Sequence, residues 1–208
     1  MTSHDIRAKA LATALSALAG YVDAIGFITL GGFFVSFMSG NSTRLGIGIA
    51  RHSPDAAVAA GLIATFVVGV ILGSLIGRIA GTHRRPAVLA VVALLLGVAA
   101  SVDASGFGMI AIVAMVLAMG AENAVFEADG EVHIGLTYMT GTLVKIGQRV
   151  ATALLGGDRL AWVPYLALWI GLITGACAGA TLYMLIGMDA LWVGAGAAAL
   201  LAVISIRK

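Results

Sequence analysis

Long apolar runs separated by short polar interruptions dominate the chain. Ala56–Gly77, Pro86–Val102, Ala104–Ala121, Leu160–Met188 and Ala190–Ile206 contain no Asp, Glu, Lys or Arg. A sixth run, Ala10–Thr43, is interrupted only by Asp23. A helix needs about 20 apolar residues to cross a hydrocarbon layer. The first five runs each predict one crossing, and the sixth is too long for a single simple span. The pattern therefore predicts six crossings. Two further segments, 33–50 and 137–155, carry polar breaks that need a separate explanation.

Composition turns this pattern into a fold class. The chain is 61% hydrophobic and 11% charged, where a soluble domain carries about 25% charged residues. Helices that are apolar all round must lie in a core or a bilayer, and 208 residues cannot build a core that large. The expected fold is an all-α integral membrane protein forming one membrane domain over residues 1–208. The N-terminus has the basic start of a signal peptide, but its apolar run continues past Ala17-Leu18-Ala19, so cleavage is not expected. Lys and Arg are enriched in cytoplasmic loops. With the N-terminus inside, Arg7, Lys9, Arg78, Arg84, Arg85, Arg149, Arg159, Arg207 and Lys208 all fall inside, while the outer loops hold Arg51, Asp55, Asp103 and Asp189. Both termini are expected in the cytoplasm. The net charge of +2 gives no sign of a nucleic-acid partner.

Self-similarity divides the domain into two repeats, about 10–103 and about 104–206. Gly20-Tyr-Val-Asp23-Ala24 aligns with Gly120-Ala-Glu-Asn123-Ala124. Met38-Ser39-Gly40-Asn41-Ser-Thr-Arg44 aligns with Met139-Thr140-Gly141-Thr142-Leu-Val-Lys145. The ladder Gly69/Gly73/Gly77 matches Gly171/Gly175/Gly179 at an offset of 102. Three crossings per repeat give the halves opposite orientations, an arrangement typical of secondary transporters with sites near the midplane. Duplication without transport produces the same count. The ladders offer small faces for close helix packing between the halves, with a homo-oligomer seam as the alternative.

The polar breaks supply the candidate site. Ser39-Gly40-Asn41-Ser42-Thr43 and Thr140-Gly141-Thr142 combine N-cap formers with a permissive glycine. They predict short helices that resume at about Leu45 and its counterpart, starting inside the membrane where lipid cannot satisfy free backbone groups. Such starts offer N–H groups and a positive dipole end. Arg44 and Lys145 follow one turn later, which would make an anion-attracting pocket; equally, both read as cations snorkelling from ordinary helix ends. Asp23 lies about twelve residues into its run, roughly 18 Å along a helix. It and Asn123 are read either as polar anchors, with Asp23 carrying a proton, or as braces for the broken segments. Glu122 is expected near the cytoplasmic interface without a special role. Tyr21 and Tyr138 flank the polar motifs, within reach of a ligand.

Other chemistry is thin. His4, His52, His83 and His133 are scattered, and the single cysteine, Cys177, gives neither a disulfide framework nor a multi-cysteine metal site. Glu127, Asp129, Glu131 and His133 read as a solvated connection. With no phosphate loop and no nucleophile elbow, neither a cofactor nor enzymatic activity is expected.

Gly20-Tyr-Val-Asp-Ala-Ile-Gly-Phe, Phe33-Phe-Val-Ser-Phe-Met-Ser-Gly-Asn and Thr137-Tyr-Met-Thr-Gly-Thr-Leu-Val-Lys-Ile-Gly-Gln resemble the YoaK-like bacterial membrane family, a domain of unknown function also called DUF1275. The resemblance runs nearly end to end and departs at Glu122, where a Gln-like residue is expected. It implies a six-helix protein of the bacterial inner membrane. The sequence reading is a small-solute secondary transporter, with an anionic solute favoured. Ser39, Gly40, Asn41, Thr140, Gly141 and Thr142 form the cradle, Asp23 and Asn123 are anchors, and Arg44 and Lys145 give electrostatic support. A passive channel and a non-transporting membrane scaffold are the alternatives.

Overall fold

The computed structural model describes residues 3–103, 108–128, 131–132 and 137–206. In chain order the helices are α1 (Ser3–Thr29), α2 (Met38–Ala50), α3 (Asp55–Ala80), α4 (Arg84–Asp103), α5 (Gly108–Glu122), α6 (Met139–Leu154), α7 (Val163–Ile186) and α8 (Leu191–Ile206). A two-residue antiparallel pair joins Glu127–Ala128 to Glu131–Val132. The fold is all-α apart from that small hairpin.

Among the described residues, four continuous helical stretches are long and apolar enough to cross a membrane: Arg7–Thr29, Asp55–Val102, Gly108–Phe126 and Val163–Ile206. The second and fourth, at 48 and 44 residues, are each about twice one crossing. Each reverses at a single 3-10 turn, Gly81–His83 or Gly187–Ala190. Gly81 and Gly187 open these turns at φ 54° and 63°, a left-handed backbone that glycine adopts without steric cost. Six apolar helices result: α1, α3, α4, α5, α7 and α8. Their inner faces bury Leu15, Ile25, Leu89, Leu96, Met115 and Leu191 completely. Their outer faces leave Val67, Ile71, Leu75, Leu94, Leu185, Leu200 and Val203 exposed. An apolar surface of that extent belongs in lipid rather than water.

Glycines set the tightest helix contacts. On α7, a side chain at Gly171, Gly175 or Gly179 would run into the carbonyl oxygens of Thr13, Ala17 and Tyr21 on α1. On α3, a side chain at Gly69 or Gly73 would meet those of Leu117 and Ala121 on α5. Gly20 and Gly120 answer from the other side, against Leu172 and Phe66. These contacts correct the ladder alignment. Ala17 and Leu117 are one hundred residues apart, yet they face Gly175 and Gly69, which are separated by 106. The offset of 102 is one rung short. A ladder of period four matches itself after a one-rung slip, so the sequence pattern could not choose. The extra residues lie between α6 and α7, where residues 155–162 replace the shorter link 51–54 between α2 and α3.

The breaks also sit earlier than expected. Ser39 to Thr43 do not interrupt a helix; they lie inside the first turns of α2, and Thr140 to Thr142 lie inside the first turn of α6. Asn41 and Thr142 cap neither helix, and the residues at the caps, Phe37 and Tyr138, use no side chain for capping. The chain turns instead at Gly31 and Gly32, with φ of 61° and 103°, and approaches α2 as a non-helical lead-in over residues 30–37.

Candidate functional site

The first lead-in is held by side chains from both flanking helices. Gly32 N–H closes the end of α1 on the Phe27 carbonyl at 2.8 Å. Asp23 Oδ1 accepts hydrogen bonds from the N–H groups of Val35 at 2.9 Å and Ser36 at 2.7 Å. Asn41, fully buried, clasps Phe34 at both ends: its Oδ1 accepts from Phe34 N–H at 3.0 Å, and its Nδ2 donates to the Phe34 carbonyl at 2.7 Å. Backbone away from water must find partners, and here two polar side chains supply them.

The second half repeats the arrangement with fewer ties among the described residues. Thr137 Oγ1 donates to Asn123 Oδ1 at 3.3 Å, and Asn123 Nδ2 donates to the Met119 carbonyl at 3.0 Å. Thr142, at the position matching Asn41, turns its hydroxyl back onto the Tyr138 carbonyl of its own helix at 3.2 Å.

The two helix starts meet. A cavity of about 260 Å³ lies between Ser36–Ser39 on one wall and Thr137–Gly141 on the other, with Phe66 of α3 beside them. Ser39, Tyr138, Thr140 and Gly141 are the exposed part of this lining, whereas Ser36 and Thr137 are its buried part. The N–H groups of Ser39 and Gly141 have no hydrogen-bond partner among the described residues, as first-turn amides do not. Gly40 is packed beneath the Phe34 and Phe37 rings, but Gly141 faces open space.

The structure thus separates the expected site residues into groups. Ser39, Thr140 and Gly141 line the cavity, as does Tyr138. Gly40, Asn41 and Thr142 belong to the same helix starts but point elsewhere. Asp23 and Asn123 stand behind the walls as braces. Arg44 and Lys145 are not in the lining. Each lies six residues beyond the first residue of its helix, about 9 Å along the axis, and each stacks on an aromatic ring: Arg44 on Phe33 at 4.5 Å, Lys145 on Tyr165 at 5.6 Å. Because the helices begin at Met38 and Met139, these cations fall on the second turn rather than beside the free amides.

Phe66, Ser36 and Thr137 had no place in the expected cradle. Phe66 sits in a featureless apolar run, where no signal marks it. Ser36 and Thr137 had one: both are hydroxyl residues at the same 101 offset as Ser39 and Thr140. Tyr21 lies away from the cavity; it is buried and donates its hydroxyl to the Ala190 carbonyl at 2.7 Å. Glu127 is not solvated either. Its carboxylate takes Arg84 at 3.2 Å and the Ser74 hydroxyl at 2.6 Å, while Asp129 and His133 lie outside the described residues. Glu122 is fully buried among the packed helices.

Chemically the cavity offers hydroxyls and free amides. It holds no nucleophile beside a base, and among the described residues no three His, Cys, Asp or Glu are grouped to hold a metal.

Residues 11–204 match the profile of a family described as protein of unknown function, DUF1275. A UPF0700 transmembrane protein of Rhizobium meliloti (strain 1021) is 38% identical over 192 residues, covering 92% of this chain and 83% of its own. No solved structure matches. The chain belongs to the DUF1275 family, and with its apolar helices and a transmembrane relative it is a multi-pass membrane protein.

Proposed function

We propose that this DUF1275 protein is a secondary transporter for a small solute, with an anionic solute or solute group favoured and the site in the cavity between the starts of α2 and α6. One observation carries the reading: two helix starts from separate halves of the chain converge on one cavity, each with a lining residue whose amide has no partner among the described residues. Half-helix N-termini at a repeat interface are how several transporters hold anionic groups, and the positive dipole ends add to the attraction. Matching contacts of α7 on α1 and of α3 on α5 support two repeats of inverted topology. The basic-residue asymmetry supports a bacterial inner-membrane location with both termini cytoplasmic. Without a reactive pair in the lining, the protein binds and moves its solute without making or breaking bonds in it.

Gly141 provides the test. Open space surrounds it, so Gly141→Leu extends a side chain toward the cavity without a backbone clash. A thermal-shift screen of the purified protein against small anions, cations and neutral metabolites should find a solute that stabilises the wild type and not Gly141→Leu. That solute should then enter proteoliposomes saturably. Flux without saturation would instead indicate a channel. A screen with no solute whose effect depends on Gly141 would overturn the proposal in favour of a scaffold.

A further inference from the structure

Helix α5 carries a carboxylate that the cavity does not use. Glu122 closes α5. It is 0% exposed, and among the described residues neither Oε1 nor Oε2 has a hydrogen-bond partner. Ala111, Met115, Ala118 and Met119, on the preceding turns, are equally or almost equally inaccessible. A helix places Met115 and Ala118 on the same face as Glu122, so its own helix surrounds it with apolar groups.

Charged and titratable groups on the neighbouring elements have partners of their own. From α3 and its turn into α4, Arg78 and Arg84 lie against Glu127 at 3.8 and 3.2 Å, Arg84 reaches the Ala124 carbonyl at 3.4 Å, and Arg85 stacks on Phe126 at 5.2 Å. From α1, Asp23 holds Val35 and Ser36, and Tyr21 holds the Ala190 carbonyl. Asp103 lies at the far end of α4 from Arg84, remote from the end of α5. An ionised carboxylate left alone in such a place is among the costliest groups a membrane protein can bury. The neutral acid is far cheaper.

We propose that Glu122 is a proton-binding site, occupied in this conformation and emptied when the junction between α5 and the following 3-10 turn opens. The step is a simple exchange: the carboxylic acid releases one proton to water admitted at the junction, and the carboxylate recaptures it when the junction closes. The junction connects to the cavity. Asn123, the next residue, accepts the hydroxyl of Thr137, and Thr137 belongs to the cavity wall. Opening at Glu122 therefore shifts the brace behind that wall. This coupling rests on the transporter reading; the proton site itself does not.

The test uses the purified full chain in lipid nanodiscs. At neutral pH, infrared spectroscopy should show the carbonyl stretch of a protonated carboxylic acid, lost in Glu122→Gln and kept in Asp23→Asn. Glu122→Gln keeps the shape of the neutral acid and should fold. If the folded core holds the acid neutral, folding takes up a proton that the unfolded chain has already released, so stability falls as pH rises. Above about pH 6 the wild type should lose roughly 3 °C of melting temperature per pH unit relative to Glu122→Gln. Absence of the band, or parallel melting curves, overturns the proton site. A solute from the thermal-shift screen should bind with a pH dependence that Glu122→Gln abolishes; an unchanged dependence overturns the coupling. Failure to find any solute defeats the transporter reading, while the spectrum and melting curves still decide the proton site.

Discussion

Asp23, within the apolar stretch of α1, and Glu122, at the end of α5, lie one place apart in the aligned motifs, and they are used in opposite ways. Asp23 receives two backbone N–H groups and holds a lead-in that would otherwise lack partners. Glu122 receives nothing. The residue aligned with Asp23 is the neutral Asn123, and the residue aligned with Glu122 is Val22, itself fully buried. Two halves with similar helices have therefore placed one acid as structure and the other as a group free to change its charge. The difference teaches that position in a repeat does not assign a role; the partners of each carboxyl do.

Substitutions at these positions can break that contrast. Asp23→Ala strips two backbone amides of their acceptor and should destabilise the purified protein by about 4 kcal/mol in denaturant titrations. Asp23→Asn, retaining one acceptor oxygen, should cost about half as much. Asn41→Ala frees both polar groups of Phe34 and should cost about 3 kcal/mol, measured the same way. Asn123→Ala loses the longer hydrogen bond from Thr137 and the one to the Met119 carbonyl, and should cost about 1 kcal/mol. If it matches Asp23→Ala instead, the two braces are equivalent and the contrast fails. Smallest, and of opposite sign, Glu122→Val gives the second half the residue of the first and should stabilise by about 0.5 kcal/mol. A large loss there would make Glu122 a structural acid after all.

The apolar runs carried most of the fold. Charge-free stretches of crossing length marked five of the six apolar helices, because in lipid an unpaired charge is excluded, and the run holding α1 stood out with Asp23 as its one charge. Polar motifs 39–43 and 140–142 marked the right pair of helices, yet not where those helices begin. Residue types favoured at caps are also tolerated in a first turn, and the turning glycines Gly31 and Gly32 were masked by the apolar run around them. Arg44 and Lys145 were misplaced by the same shift. The burial of Glu122 was not legible, because it depends on α5 being enclosed by neighbouring helices, which local pattern does not report. Phe66 reaches the cavity only through the packing of α3, so no local feature could have revealed it.

The missing side chains along α7 and α3 have a mechanical meaning. Where Gly175 lies on Ala17, and Gly73 on Ala121, backbone rests on backbone, and neither helix can slide or roll without a carbonyl striking the other. Ser16 adds a bolt to the first seam by donating to the Leu168 carbonyl at 3.0 Å. Each locked couple takes one member from each half of the sequence. The stiff parts of this protein are thus α1 with α7 and α3 with α5, and any rocking that exposes the cavity must happen between these couples, cutting across the boundary that the duplicated motifs draw.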